Sequence, residues 1–347
     1  MTDISIRRGV LRTRYFSFRI DTRTWIVCAV LAVAAFSVCV VSVSIGDDPI
    51  PIGRVVRAIF GYGDSGDVFI VQTLRLPRAL TALLVGAALG TSGAIFQSIS
   101  RNPLGSPDII GFTTGAATGA LLEILIFHGG TRDIALASII GGIVTALAVY
   151  LMAFKRGVQG YRLVLIGIGV SAMLTSVNSY LLTRANINDA ASAQVWLTGS
   201  LNGRGWEHVR PISIALVVLL PVAFALGRNM RLLEMGDDSA KALGVSVERS
   251  RLTLVLVAVA LTGVGVASAG PISFVALAAP QLSRRLTRSA GAGLIAPALM
   301  GAFLLAASDF AAQHALSTQL PVGVATGTIG GIYLGWLLAR EWRTGHG

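Results

Sequence analysis

Long apolar runs separated by short polar segments make up most of this chain. Nine runs are long enough to cross roughly 30 Å of hydrocarbon as helices that rise about 1.5 Å per residue. They lie at 25–45, 79–99, 109–127, 134–154, 162–183, 208–226, 252–269, 298–313 and 322–339. A shorter apolar segment at 271–286 predicts a tenth crossing. We therefore expect an all-α integral membrane protein with about ten transmembrane helices, in a single domain over 1–347.

The polar segment 228–251 interrupts this pattern and predicts a loop that contains one short helix. Its N-cap candidates are Asp237, Asp238 and Ser239, its body is 240–243, and Gly244 would end it in the left-handed conformation. Helices shorter than about 12 residues are marginal alone in water. This helix is therefore expected to dock, either on its own bundle or on a separate protein.

A second polar segment, 101–108, contains two prolines that cannot continue a helix. The chain must break here, and the aspartate at the end of the segment can cap the next helix. We expect a rigid structural loop formed by Arg101, Asn102, Pro103, Pro107 and Asp108.

Composition and charge agree with a membrane protein. Hydrophobic residues are 54% of the 347 and charged residues 13%, and the mean hydropathy of +0.73 excludes a water-soluble domain of this size. The net charge of +11 could suggest a nucleic-acid partner, but the basic residues are scattered between apolar runs. With the N-terminus inside, 20 of the 28 basic residues fall on the cytoplasmic side. We expect a retained cytoplasmic leader at 1–24, a cytoplasmic loop at 228–251, cytoplasmic termini, surrounding lipid and no nucleic acid.

Glycines recur at a spacing of four, which places them on one helix face where backbones can approach closely. They are Gly86 and Gly90; Gly111, Gly115 and Gly119; and Gly323, Gly327, Gly331 and Gly335. Packing is the favoured interpretation, and sliding of closely packed helices during transport is the other.

Polar residues inside the apolar runs are few. Ser171, Thr175 and Asn178 form a stripe on one face of the fifth run, which either lines a translocation pathway or joins helices. Glu123 and Asp309 lie near outer ends of their runs. A bond to a neighbouring helix is favoured over a proton relay for these two acids.

The sequence contains no recognisable motif for ATP binding, metal binding or catalysis. Neither Lys155 nor Lys241 stands in Gly-x4-Gly-Lys-Ser/Thr, so the chain has no P-loop, and energy must come from a partner or an ion gradient. The histidines show no metal-ligand spacing. Ser92 lies in a Gly-x-Ser-Gly segment like that of intramembrane proteases, but no histidine is placed to activate it. We expect no catalytic residue and no metal site.

At the outer side, Arg75 and Arg78 flank a proline. Their guanidinium groups suit carboxylates on a docking protein, while snorkelling at the membrane interface is the alternative.

Further motifs complete the pattern along nearly the whole chain. They are Val85-Gly-Ala-Ala-Leu-Gly, Ser92-Gly-Ala-Ile-Phe-Gln97, Leu243-Gly-Val, Ala269-Gly-Pro-Ile-Ser-Phe274, Pro280, Asp309 and Leu320-Pro-Val-Gly323. With Arg75-Leu-Pro-Arg78 and the loop at 101–108, they resemble the membrane subunits of ABC importers for iron siderophores and vitamin B12. Within that family, the segments 101–108, 232–240 and 330–333 are most similar to permease subunits for ferric enterobactin.

The resemblance implies a type II ABC importer permease fold in the bacterial cytoplasmic membrane. It implies a ferric siderophore of the catecholate, enterobactin-like type as cargo, and a second related permease subunit as heterodimer partner. Two cytoplasmic ABC ATPases, which bind the ATP and Mg, and an external siderophore-binding protein would complete the importer. An ion-coupled secondary transporter of a small solute is the alternative.

The resemblance also implies residue roles. It assigns docking of the binding protein to Arg75 and Arg78. It assigns ATPase coupling to Glu234, Gly236, Asp237, Asp238, Ser239, Ala240, Leu243 and Gly244. Two positions depart from the family pattern: Gln281 stands where many relatives carry His, and Gln313 where many carry Arg. A heterodimer partner would supply the outer charge missing at Gln313.

Overall fold

The computed structural model describes residues 5–7, 10–12, 17–19, 21–46, 48–154, 160–289, 293–315 and 319–344. The helices are α1 (Thr22–Ser44), α2 (Ile52–Ile59), α3 (Ser65–Phe69), α4 (Leu76–Ser100), α5 (Phe112–Leu122), α6 (Thr131–Ala153), α7 (Gly160–Arg184), α8 (Ile187–Leu197), α9 (Trp206–Ala225), α10 (Gly227–Glu234), α11 (Asp237–Ala242), α12 (Val247–Ala269), α13 (Val275–Thr287), α14 (Ile295–His314) and α15 (Val322–Thr344). Two π-helical segments, Ile70–Arg75 and Glu123–Phe127, precede α4 and extend α5.

Each of the ten predicted crossings corresponds to one of these helices. Within the described residues, seven helical segments are long and apolar enough to cross a membrane, and these contain α1, α4, α6, α7, α9, α12 and α14. The other three crossings are shorter: α5 with its π-helical extension, α13, and the apolar part of α15. The helical architecture predicted from the apolar runs is confirmed.

Several short elements were not predicted. In the leader, Ser5–Arg7, Val10–Arg12 and Ser17–Arg19 pair as a three-stranded antiparallel sheet, so the chain is not purely helical. Much of the predicted leader at 1–24 lies outside the described residues. Three short helices, α2, α3 and α8, connect the longer ones. They were not predicted because none is long enough to give an apolar run.

The centre of the bundle is α4, which packs against α12, α13 and α14. Small residues allow this approach: a Cβ added at Gly90 would lie 2.2 Å from the carbonyl oxygen of Pro297 on α14. A Cβ at Gly119 would lie 2.1 Å from the carbonyl oxygen of Ala137, where α5 meets α6. Close packing through glycine is therefore confirmed for these two helix pairs.

Other glycines of the predicted stripes behave differently. Gly111 lies outside α5 with a φ of +89°, so it serves a turn rather than a helix face. Gly327, Gly331 and Gly335 on α15 have no neighbour within 4 Å of an added Cβ. The packing predicted for most of the α15 stripe is wrong within this single chain, and that face is open.

We call the end of the bundle that carries α10 and α11 the inner end, and the opposite end the outer end. Arg101 and Arg251 lie at the inner end beside α11. Arg78 and Asp309 lie at the outer end, where α4 begins and α14 ends.

Candidate functional site

The predicted short helix exists, but it begins three residues earlier than its body was placed, at Asp237. Gly236, with a φ of +113°, occupies the N-cap position, and Asp237 is already the first residue of α11. The three N-cap candidates are therefore wrong as caps, because the glycine makes the turn and the aspartates fill the first helical turn. Carboxylates are favourable there, near the positive end of the helix dipole. Gly244 has a φ of +81° and ends the helix as predicted.

Asp237 joins α11 to the bundle. Its two carboxylate oxygens each accept a 2.8 Å hydrogen bond from Arg251 on α12, and Arg101 at the end of α4 also donates to it. The Arg251 side chain is only 4% exposed and also donates to Glu248 at 2.9 Å. Partial burial opposes ionisation of Asp237, but the hydrogen bonds and charges of Arg251 and Arg101 outweigh it and lower its pKa. α11 is thus held by charge pairs to two separate helices.

The other face of α11 points away from the bundle. Ala240 is fully buried, whereas Leu243 is 58% exposed and the Asp238 side chain is fully exposed. Lys241 is exposed too, with its Nζ 3.8 Å from Asp238. The residues predicted for ATPase coupling therefore divide into an inward set around Asp237 and Ala240 and an outward set around Asp238 and Leu243.

A concavity of about 470 Å³ adjoins this outward face. Its lining comes from α10, the α11–α12 connection and the start of α12, and includes Leu232, Leu243 and Arg249. Glu234 is the last residue of α10, directly before the turn at Gly236. Together these residues form a shaped inner surface that a second protein can contact.

The loop at 101–108 is braced from several sides. Arg101 caps α4 in the left-handed conformation, with a φ of +50°, and its Nε donates to the carbonyl oxygen of Leu233 at 3.0 Å. Asn102 accepts from the backbone N–H of Leu104 at 2.9 Å. Pro103 accepts from the side-chain amide of Gln281 at 2.8 Å, which ties the loop to α13. Gln281 therefore has a structural role in holding this loop.

Asp108 does not cap α5 as predicted. The helix starts at Phe112, and Asp108 Oδ1 instead accepts from the hydroxyl of Thr113 at 2.7 Å. Its Oδ2 is buried without a hydrogen-bond partner in the described residues. Burial raises the pKa of Asp108 to about 6, although hydrogen bonds from Thr113 and the Phe274 backbone pull the other way.

At the outer end, the two predicted docking arginines already have partners within the chain. Arg78 donates to both oxygens of Asp309 on α14, at 2.9 and 2.8 Å, and Gln313 donates to Asp309 at 2.8 Å. Arg75 donates to the carbonyl oxygens of Val43 and Asp48, at 3.0 and 2.7 Å. The positive charge of Arg78 is thus balanced by a carboxylate, whereas Arg75 has only neutral carbonyl partners among the described residues.

Both arginines line an outer recess of about 380 Å³ together with Arg204. Arg204 donates to the carbonyl oxygen of Ser200 at 3.1 Å and lies 3.0 Å from His208 Nε2. Sequence reasoning missed Arg204, because it stands in a loop with no motif around it. Its place among the few outer basic residues was the only available signal.

The predicted polar stripe lies on α7, much of which is exposed. Ser171 shares a 3.0 Å hydrogen bond with Thr114 of α5, while the Thr175 hydroxyl donates to the carbonyl oxygen of Ser171 one turn earlier, at 2.8 Å. Asn178 is buried, and its Oδ1 has no partner in the described residues. The three residues therefore differ: one joins helices, one faces outward and one carries an unsatisfied acceptor.

Two other polar residues receive a structural explanation. Ser92 is buried and donates to the carbonyl oxygen of Ala258 at 2.8 Å, with the Thr262 hydroxyl 2.7 Å away. It joins α4 to α12, which agrees with packing rather than proteolysis. Asp309 makes the bond to a neighbouring helix that the sequence favoured, and Glu123 is the first residue of the π-helical extension of α5.

A bundle of membrane-crossing helices that presents a short, charge-braced helix at one end is the architecture of a transporter's membrane subunit. The chain belongs to the FecCD transport family, which matches residues 30–340. It is therefore a permease of the ABC importer type and a bacterial inner-membrane protein.

Individual relatives cover almost the entire chain. It is 48% identical over 325 residues to the ferric enterobactin transport system permease protein FepG of Escherichia coli, covering 93% of this chain and 98% of that protein. It is 38% identical to the probable siderophore transport system permease protein YfhA of Bacillus subtilis, covering 95% and 99%. Its fold matches the inward-facing structure of a metal-chelate type ABC transporter with a TM-score of 0.79 at 29% identity, covering 91% and 99%. The predicted type II ABC importer permease fold is confirmed.

Proposed function

We propose that this permease carries a ferric siderophore of the catecholate, enterobactin-like type across the cytoplasmic membrane. The observation that carries the proposal is the 48% identity to the E. coli ferric enterobactin permease, which extends over 98% of that protein. The match covers nearly the whole of both chains, 93% of this one and 98% of that relative, which supports the same class of cargo.

Energy would enter at the inner end. Two cytoplasmic ATPases, which bind ATP and Mg themselves, would contact the outward set of α11, namely Asp238, Lys241 and Leu243. The inward set would carry the movement into the bundle, because Asp237 is bonded to Arg101 of the α4 end and to Arg251 of α12. The termini and the leader at 1–24 would share this cytoplasmic side, as the distribution of basic residues predicts.

A second, related permease subunit would complete the pathway. α7 and α15 expose the faces on which it would pack, since only 17% of the apolar window of α7 is buried and the α15 glycines are open. The stripe of Ser171, Thr175 and Asn178 would lie beside this junction. The unsatisfied Oδ1 of Asn178 would then meet water, cargo or the partner.

The outer recess would receive a carboxylate of the external siderophore-binding protein. Arg75 would supply the attraction, because it pairs with no carboxylate among the described residues. Arg78 shapes the recess through its pair with Asp309, and the charge of Arg204 is partly offset by Glu207, which lines the same recess. The absence of a further arginine at Gln313 agrees with a heterodimer in which the partner subunit provides that charge.

The first test is to purify the tagged protein from its native host in mild detergent and to identify stoichiometric partners by mass spectrometry. We expect an ABC ATPase and a second permease, with binding of ferric catecholate by the assembled importer and its binding protein. Recovery of the chain alone, under conditions that keep other ABC complexes intact, would refute the assignment and favour an ion-coupled transporter. Uptake of a ferric hydroxamate but no catecholate would refute the cargo alone.

A further inference from the structure

A groove of about 920 Å³ opens on the outer half of the bundle between α6 and α9, with α12 as its floor. Both α6 and α9 pack against α12, but within the described residues they meet each other at most marginally. The groove is deep because α12 contributes short side chains to its floor, those of Val264, Ala267 and Ser268. The volume is within the range of roughly 300–1,000 Å³ that is typical of ligand sites.

The interior of this α6/α9 groove is apolar. Leu136 and Ile139 line it on α6, and Leu136 is 59% exposed. From Thr131 to Ile139 the wall descends about 12 Å along the helix, at about 1.5 Å per residue. Because α6, α9 and α12 are all long and apolar enough to cross a membrane, this length of groove faces hydrocarbon. An acyl chain is the occupant that hydrocarbon supplies.

The mouth of the groove carries unpaired positive charge. Arg132 and Arg210 both line it and both are exposed, and neither makes an ion pair in the described part of the chain. Two carboxylates also line it, those of Asp133 and Glu207, but neither forms an ion pair with Arg132 or Arg210 in the described part of the chain. Asp133 accepts from the backbone N–H of Gly130 at 3.0 Å, and the Glu207 carboxylate lies 3.2 Å from His208 Nδ1.

Two further features of the mouth favour an anion at the membrane surface. α6 begins at Thr131 and α9 at Trp206, so the positive ends of two long helix dipoles meet there. Trp206 is itself partly exposed at the rim, and tryptophan is enriched at the level of lipid headgroups.

We propose that the α6/α9 groove is a binding site for an anionic phospholipid of the outer leaflet. One acyl chain lies on α12 between α6 and α9, and the phosphate lies between Arg132 and Arg210. The site rests on the membrane location of the chain and is independent of the cargo and of the ATPase contact.

The experiment compares lipid retention by native mass spectrometry. Protein reconstituted in phosphatidylcholine with a fraction of phosphatidylglycerol is released into the gas phase, and bound phosphatidylglycerol is counted. The test variant is Arg132→Gln combined with Arg210→Gln, and the matched control is Arg57→Gln, an exposed arginine of α2 outside the groove. Leu136→Trp fills the groove without changing charge.

Wild type and the Arg57→Gln control are expected to retain one phosphatidylglycerol selectively over phosphatidylcholine. The double variant is expected to bind it about 30-fold more weakly, since it loses both arginines that attract the anionic headgroup. Leu136→Trp is expected to lower retention of both lipids. Equal retention by the double variant and wild type would overturn the headgroup site. Unchanged lipid retention in Leu136→Trp, with loss of a co-purifying protein, would show that a protein occupies the groove instead.

Discussion

The charge pair between Asp237 and Arg251 gives the sharpest prediction, because it separates holding α11 in place from contacting the ATPase. Asp237→Asn removes the negative charge and keeps the shape of the side chain. Arg251, only 4% exposed, is then left with Glu248 as its remaining carboxylate partner. We expect α11 to open more readily while the rest of the bundle stays intact.

The free energy lost in Asp237→Asn can be estimated from the burial of the ion pair. Removing one partner of a fully buried ion pair costs about 3–5 kcal/mol. Asp237 is 36% exposed and Glu248 remains, so we expect about 2 kcal/mol for this variant. That energy corresponds to a rise of roughly 30-fold in the local opening equilibrium, at about 1.4 kcal/mol per factor of ten. Hydrogen exchange of the Ala240 and Leu243 amides, which close the turns of α11, reports it directly.

Asp238→Asn is the matched control. Its side chain is fully exposed, and its one ion pair among the described residues is with Lys241, at 3.8 Å, so exchange in α11 should stay at the wild-type rate. In the reconstituted importer, Asp237→Asn should retain ATP hydrolysis but transport less cargo per ATP, whereas Asp238→Asn should weaken ATPase binding. Wild-type exchange together with wild-type uptake in Asp237→Asn would show that the pair does not hold the coupling helix.

Four further predictions concern other parts of the bundle. Arg75→Glu should weaken docking of the binding protein, with a smaller difference from wild type at high salt; docking measured by surface plasmon resonance at two ionic strengths checks this. Asp309→Ala should destabilise the protein by about 3 kcal/mol, the lower end of the range for a buried ion pair, because Arg78, 15% exposed, loses its carboxylate partner; a thermal melt in detergent measures the loss. Gly90→Leu should prevent close packing of α4 on α14 and abolish the folded monomer in size-exclusion chromatography. Because burial raises the pKa of Asp108 from 3.8 to about 6, this carboxyl costs stability increasingly as the pH rises between those two values, and the full cost is present at pH 7. Asp108→Asn should therefore melt higher than wild type at pH 7, with the gap closing as the pH falls towards 4.

Local patterns in the sequence were enough to predict the membrane-crossing helices. Apolar runs of sufficient length define a crossing whatever their neighbours, and Gly244 ends α11 because only a residue tolerant of positive φ fits there. Gly90 and Gly119 were also correctly placed at close contacts, since a spacing of four identifies a helix face.

The charge pairs could not be predicted, because they join distant positions. Arg78 and Asp309 are 231 residues apart, and Arg101 and Asp237 are 136 apart. Asp237 was interpreted as a helix cap from its local sequence, and nothing in that sequence indicates its ion pairs with Arg101 and Arg251. The start of α11 was misplaced for a similar reason: several polar residues can cap a helix, and the turn at Gly236 decides among them.

The bracing of α11 also has a consequence for how the protein is made. The helix has only six residues, and its two anchors come from opposite halves of the chain, Arg101 after α4 and Arg251 in α12. During synthesis, the helix that carries the first anchor, α4, enters the membrane long before α12, which carries the second. The surface that we propose to engage the ATPase would therefore form only after the seventh crossing is inserted and packed against the second. If α11 is the helix that docks the ATPase, a half-made permease would lack that docking surface, and the ATPase would bind only chains in which both anchors are in place.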